Sequence, residues 1–262
     1  MRLPEPVFDR TERAADSGHA SLWHILNPGR NCWRVSQAGK AAVLVDGGPY
    51  FAHLEDALRQ AERSILIVGW DFDGSIRLRP DLPSETSPPL GQLLRSLVET
   101  RPQLEIHILV WSVAVVHAPG DPLPLLFGAE WQDHPRIRLK LDTRHPIYAA
   151  HHQKIVCVDG SLAFVGGIDL TVRRWDRHPH MVDDPARTQP DGTPYGPVHD
   201  VQIAVQGDAA KAVCALASTR WKNATGEELP NPGLQDCLAA GAARGFHRDA
   251  CRDSPHSARL QQ

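Results

Sequence analysis

Between His152 and Asp169 the chain places two short apolar runs, Ile155 to Val158 and Leu162 to Val165, around one Asp159-Gly160 pair. Runs this short do not make helices, and Asp-Gly between them is a hairpin signal, so the stretch is constrained to two adjacent buried strands. Its polar residues sit at the ends. His152 and Lys154 are two apart and therefore share one face of the first strand. A histidine offers a nucleophilic nitrogen near neutral pH and a lysine a compact positive charge, a pair suited to a phosphate group. Gly166-Gly167 then removes side chains where the backbone must come close to something.

The rest of the chain supplies a framework for that hairpin. Ala41 to Val45 reads as a strand, and Asp46-Gly47-Gly48-Pro49 as a turn. From Tyr50 to Arg63 apolar residues recur at three and four, which predicts an amphipathic helix. Ser64 to Trp70 is a continuous apolar strand and Leu104 to Trp111 a second buried strand, with Asp71 to Gly74 a turn, Asp81 to Pro89 a proline-rich loop and Leu90 to Thr100 a second helix. Leu123 to Gln132 is a candidate short helix, Ile137 to Leu141 a strand and Arg144-His145-Pro146 a turn. Asp176 to Pro197 must be a long loop. Val198 to Val205 is a further strand, and Asp208 to Asn223 a helix with Ala212, Val213, Leu216 and Trp221 inward. This order predicts an α/β fold, an α/β/α layered sandwich on a mixed, largely parallel sheet.

The 262 residues are 42% hydrophobic, enough for a sizeable core. The expected organisation is a lead-in over residues 1–40, a domain over 41–223 and a tail over 224–262. That tail has too few large apolar residues for a second core and is expected to be mobile or partly disordered, with at best a short helix from Leu234 to Arg244. A net charge of −3 and a pI near 6.5 speak against nucleic acid as the partner. No run is long enough for a transmembrane helix and no apolar segment opens the chain, so a cytoplasmic location is expected. Cys32, Cys157, Cys214, Cys237 and Cys251 are odd in number and lack Cys-x-x-Cys spacing, which argues against a disulfide scaffold or structural zinc.

At the hairpin the chain resembles the phospholipase D superfamily, whose signature is His-x-Lys, four residues, Asp, and about six more to a Gly-Gly or Gly-Ser pair. His152, Lys154, Asp159, Gly166 and Gly167 fall in register. The segment Asp46 to Asp73 also looks like the opening of bacterial phospholipase D proteins, as do His199-Asp200-Val201-Gln202, Gly207 and Arg220-Trp221. The likeness covers roughly residues 40 to 223. Long members of the family carry two such motifs facing one cleft, whereas this sequence has one. The resemblance therefore implies one half of a two-half enzyme, to be completed by a second copy or by a separate second half, with truncation or frameshift as the expected origin.

The resemblance implies phosphodiester hydrolysis without a cofactor or metal. His152 would be the nucleophile, Lys154 would balance phosphate charge, and Asp200 would hold the other ring nitrogen of His152. Asp159 belongs to the catalytic motif, although the residues around it read as a braced turn. Gly166, Gly167 and Asp169 would bind the phosphate or support those that do. His151 reads as a flanking residue. His145, His178, His180 and His199 lie in loops without ligand spacing, so no metal site is expected from them. Arg173, Arg174, Arg177 and Lys140 are candidates for a cleft rim, and Trp70 and Trp175 for core or rim.

Three functions compete. The first is a phospholipase D-type hydrolase acting on phospholipid headgroups, with phosphatidyl transfer and peripheral membrane contact. The second is a homodimeric single-motif nuclease, which would normally bring a more basic surface. The third is a catalytically incomplete half.

Overall fold

The computed structural model describes residues 25–111, 128–145 and 149–229. Contacts divide the chain after Gln37 into two units. Within the first, Asn31 closes a small turn: its Oδ1 accepts the Asn27 amide at 2.6 Å, and Pro28 bridges Cys32.

The second unit is built on one seven-stranded sheet. Its elements are β1 (Lys40–Val45), α1 (Gly47–Gln60), β2 (Ser64–Gly69), α2 (Leu90–Thr100), β3 (Glu105–Trp111), β4 (Ile137–Asp142), β5 (Ile155–Val158), β6 (Leu162–Gly166), β7 (Val201–Gln206) and α3 (Asp208–Thr225). The strand order is β1-β7-β6-β5-β2-β3-β4. The mixed sheet is as expected, but its parallel pairing is confined to β2–β3 and β3–β4. The other four pairings are antiparallel because β5 and β7 run against their neighbours. The predicted hairpin is β5–β6, in register from Ile155↔Val165 to Val158↔Leu162.

Strand alternation builds two cores. Ile65, Ile67, Ile106, Ile108, Val156, Val158 and Phe164 face α1 and α2, where Tyr50, Phe51, Leu54, Leu93, Leu94 and Val98 complete one layer. Leu66, Val68, Leu109, Ile155, Cys157 and Ala163 face α3. Covering both faces is what allows β2 and β3 to be buried on both sides over nearly their whole length. The inward stripe of α3 is Ala210, Cys214, Ala217 and Trp221, whereas Leu216 is 36% exposed, contrary to the sequence reading. Ala212 and Trp221 are buried and Val213 packs against this core as expected, so only Leu216 was misplaced, its size outweighing the small residues that a helix lying close on a sheet buries.

Three boundaries also differ from expectation. Gly47-Gly48-Pro49 is the first turn of α1 rather than a turn before it. A Cβ on Gly47 would lie 2.1 Å from the Arg174 carbonyl oxygen, so the glycines admit the 174–176 segment onto the helix start. β7 begins at Val201, three residues late, because the Val198 amide donates to the Asp176 carboxylate and the Val201 amide to Asp200. Of the candidate helix over 123–132, Glu130–Gln132 is a single 3-10 turn and residues 123–127 lie outside the described residues. The turn at 144–146 is described only to His145, and the helix proposed at 234–244 lies outside, as do Cys237 and Cys251. Cys32, Cys157 and Cys214 are free thiols. Among the described residues no helix is long and apolar enough to cross a membrane.

Candidate active site

The motif opens at the start of β5, where the carboxyl ends of β2 and β6 meet it. His152 is exposed and stands edge-on to Trp70, the residue that follows β2, with ring centroids 4.7 Å apart. Lys154 is buried, and its ammonium lies 5.7 Å from the centroid of the same indole. The two side chains thus share one aromatic wall, although both lie in the segment just before β5 rather than on the strand itself. Trp70 is backed by Trp111, 4.0 Å away between centroids.

Lys154 is charge-paired with Asp169. Its Nζ lies 2.8 Å from Oδ2, and both side chains are almost fully removed from solvent. Asp169 Oδ1 accepts the Trp70 and Asp71 amides at 2.9 and 3.4 Å, which ties the exit of β6 to the exit of β2. Burial pushes the Asp169 carboxyl above its usual range, and Lys154 with the two amides offsets only part of that. Among the described residues Asp169 is the one charged partner of Lys154, which leaves further ammonium protons to meet an incoming oxygen.

The glycine pair clears space for β7. A Cβ on Gly166 would lie 2.4 Å from the Val201 carbonyl oxygen, and one on Gly167 2.2 Å from Asp200 Oδ1. The close approach inferred from sequence is therefore to the neighbouring strand and to the Asp200 carboxylate. Asp200 also accepts its neighbour's amide, Val201 N, at 2.7 Å. No hydrogen bond joins Asp200 to His152 among the described residues.

Asp159 is not brought to this end. It sits beyond the far end of β5, about 16 Å of extended chain from Lys154. At φ 50°, its carboxylate accepts the amides of Glu62, Arg63 and Ser64 at 2.9, 2.8 and 2.9 Å. These bonds lock the α1–β2 connection to the hairpin turn, so the structure gives Asp159 the bracing position that its surroundings in the sequence suggested.

His151 contrasts with its neighbour. Its ring is buried between Asp142 Oδ2, 2.8 Å from Nδ1, and the Gly69 carbonyl, 3.2 Å from Nε2. Arg220 of α3 pairs with the same carboxylate. Burial pulls the His151 pKa below its usual value against the opposing pull of Asp142, and Arg220 adds to the lowering. Arg220–Asp142–His151 thus joins α3, β4 and the end of β2 beneath the exposed His152. Sequence reasoning missed Asp142; the Arg220-Trp221 pair was its one available sign.

The long loop also carries charge inward. Asp176 is fully buried and takes both Arg187 and His180, with Arg187 Nη1 at 3.1 Å and His180 Nδ1 at 3.0 Å from Oδ2. His180 and His199 both reach Asp46. Arg177 is engaged by Asp184 and stacks on Trp175, and so is not a free rim cation. His145 lies 5.7 Å from Trp111 between ring centroids. Trp175 is core.

The family model for phospholipase D matches residues 57–244, more than half of the chain. Phospholipase D C of Dictyostelium discoideum is 27% identical over 209 residues, covering 69% of this chain and 12% of that protein. Phospholipase D zeta 1 of Arabidopsis thaliana is 27% identical over 232 residues, covering 75% of this chain and 20% of that protein. The chain therefore spans between about an eighth and a fifth of the length of these relatives. Among solved structures, a phospholipase D family member, nuc from Salmonella typhimurium, aligns at 14% identity and a TM-score of 0.45 over 70% of this chain and 96% of its own. With the family match laid over the hairpin, the glycine pair and the paired lysine, the chain belongs to the phospholipase D family.

Proposed function

We propose that residues 41–223 form a phospholipase D-type phosphodiesterase domain that works through a phosphohistidine on His152. The observation that carries this reading is the pairing at the start of β5: an exposed imidazole against Trp70, beside a buried ammonium with protons to spare. In the first step a ring nitrogen of His152 forms a bond to phosphorus while the ester P–O bond breaks. In the second, a water oxygen replaces the histidine nitrogen, or an alcohol does so in phosphatidyl transfer. Lys154 meets the non-bridging oxygens, whose charge grows toward the transition state, and Asp169 keeps it in place. Asp200, set over Gly167, is the carboxylate to orient the imidazole once the ring turns toward it.

One group is not supplied by this motif, namely the acid that protonates the leaving alkoxide. A second His-x-Lys half, from another copy or another chain, would provide it. The substrate class favoured is a phospholipid headgroup ester, on the strength of the phospholipases it resembles and of a net charge of −3 that does not favour nucleic acid.

Size-exclusion fractions assayed for bis-p-nitrophenyl phosphate and phosphatidylcholine hydrolysis, with and without His152→Ala, test this. Activity in a dimer peak that the substitution removes supports two copies completing the site. Activity that survives His152→Ala in any peak overturns the reading.

A further inference from the structure

Three side chains outside the proposed active site converge where β1 ends, α1 begins and β7 is entered. Asp46 follows β1 and is 1% exposed. Its Oδ2 lies 3.2 Å from His180 Nε2 and its Oδ1 2.6 Å from His199 Nδ1. One ligating atom from each residue falls within 4.8 Å of the other two. A tetrahedral centre with bonds of about 2.0–2.1 Å has ligand-to-ligand edges of about 3.4 Å. The His180 edge already has that length, and His199, 65% exposed on its side chain, is free to turn onto a second.

The hydrogen bonds around the cluster set the direction of the His180 ring. Asp176 accepts amide protons from Arg177 and Val198, each at 2.8 Å, and a guanidinium proton from Arg187. It faces His180 Nδ1 at 3.0 Å as an acceptor, so that nitrogen donates. A carboxylate that takes the outer N–H of a histidine leaves the inner nitrogen with its lone pair, as in metal-bound histidines. Here the inner nitrogen, Nε2, points at another acceptor, Asp46 Oδ2. Two acceptors facing one another need a proton or a cation between them. A proton on His180 settles that single edge. A metal ion settles all three atoms.

Charge leads the same way. Among the described residues the ion-pair partners of Asp46 are both histidines, with no lysine or arginine, although its carboxylate is almost wholly buried. An ionised carboxylate without a lasting countercharge is costly to bury. Asp46 also stands at the N-cap of α1 yet makes no side-chain capping bond, and it holds φ 72°. A carboxylate there would ordinarily accept a helix amide. Two of the four non-glycine residues with positive φ among the described residues, Asp46 and His180, are members of this cluster.

We propose that Asp46, His180 and His199 bind one divalent transition-metal ion of the zinc type, with Asp176 orienting His180. Two imidazoles and one carboxylate suit zinc rather than magnesium or calcium, which favour all-oxygen shells. The ion clips together segments up to 153 residues apart. It also stands next to Asp200, whose carbonyl accepts the Asp46 amide at 2.8 Å and which directly follows His199. Asp46 and His199 are thus positioning residues for the carboxylate over Gly167, and the fourth coordination place stays open to water or an anionic oxygen.

The test is calorimetric titration of the metal-stripped chain with zinc chloride, together with Co2+ titration followed by visible absorption. One equivalent should bind, with the intense d–d bands of a tetrahedral cobalt site and a rise in melting temperature. His199→Ala, at an exposed position that should not disturb folding, should weaken zinc affinity at least tenfold and remove the cobalt bands. His178→Ala, next to the cluster but outside it, should leave both unchanged. Equal concentrations of Mg2+ or Ca2+ should not displace zinc. The proposal is overturned if a folded His180→Ala/His199→Ala variant binds zinc with the parent's stoichiometry and affinity, or if the parent binds none. The cluster is then a proton-bridged pair.

Discussion

At the start of β5 the motif leaves His152 in solvent against Trp70 and buries Lys154 on Asp169, whereas beyond the end of the same strand Asp159 gives its carboxylate to three backbone amides. One short stretch of sequence therefore serves two ends of a sheet. The first end has exposed and unspent polar groups, which is what a reacting site needs. The second has both carboxylate oxygens engaged by backbone amides, which is what a brace needs. Spacing along a chain shows that residues belong to one motif; only the strand between them shows that they do not meet.

The contrast is sharpest in substitutions. His152→Ala should lower phosphodiesterase activity by at least about a thousandfold, with little change in melting temperature, because it removes the proposed nucleophile and only one exposed contact, against Trp70, is lost. An equal loss of stability would erase the distinction between the two ends. Lys154→Met should cost about 3 kcal/mol or more in denaturant unfolding, since it leaves Asp169 buried without its countercharge. Adding Asp169→Asn should recover a large part of that, and failure to do so would mean that the loss does not come from an unpaired Asp169 charge.

Asp159→Ala should cost about 2 kcal/mol by removing the charged acceptor of three amides, two of them near solvent. Activity per folded molecule should stay within a few-fold of the parent. A thousandfold loss in a folded Asp159 variant would move that residue back into the chemistry. A smaller effect comes from His107, buried edge-on to Trp221 and lowered from 6.5 to about 4, first by burial and then by Arg138. Its folded form takes up a proton less readily than the unfolded chain, so its stability contribution is present above pH 6.5 and is lost as pH falls from there toward 4. Between pH 7 and pH 5 this should amount to about 1–2 kcal/mol, absent in a folded His107→Gln variant. The same pH series on that variant gives the background against which the two ends of β5 are compared.

Much of this architecture was legible in the chain. Apolar runs gave β2, most of β3 and the β5–β6 hairpin, and spacing of three and four gave α1 and α2, because local periodicity reports which face meets the core. The inward face of α3 was legible only in part: Ala212, Val213 and Trp221 were placed, but Ala210, Cys214 and Ala217 carry little hydrophobic weight against Leu216. The dominance of antiparallel pairing was hidden because β7 enters between β1 and β6, a choice of neighbours that no local pattern encodes. Distance in sequence concealed the Asp46–His180–His199 cluster, whereas Asp142 and His151 are only nine residues apart and meet because the chain turns back between β4 and β5. His152 and Lys154 were legible because the motif places them just before β5, where both reach Trp70. The place of Asp200 was legible only through resemblance, and its carboxylate over Gly167 emerges once β6 and β7 are paired.

The central claim is that His152 takes the phosphoryl group. The most direct measurement is peptide mass spectrometry of the chain after rapid quenching with bis-p-nitrophenyl phosphate. Its nitrophenolate leaves without a proton, so the first step needs no acid on the leaving oxygen. The account predicts a nitrophenyl phosphoryl adduct on the peptide containing His151 and His152, fragmenting to His152 and absent from His152→Ala. No adduct there, or one that persists in the substituted chain, would contradict it.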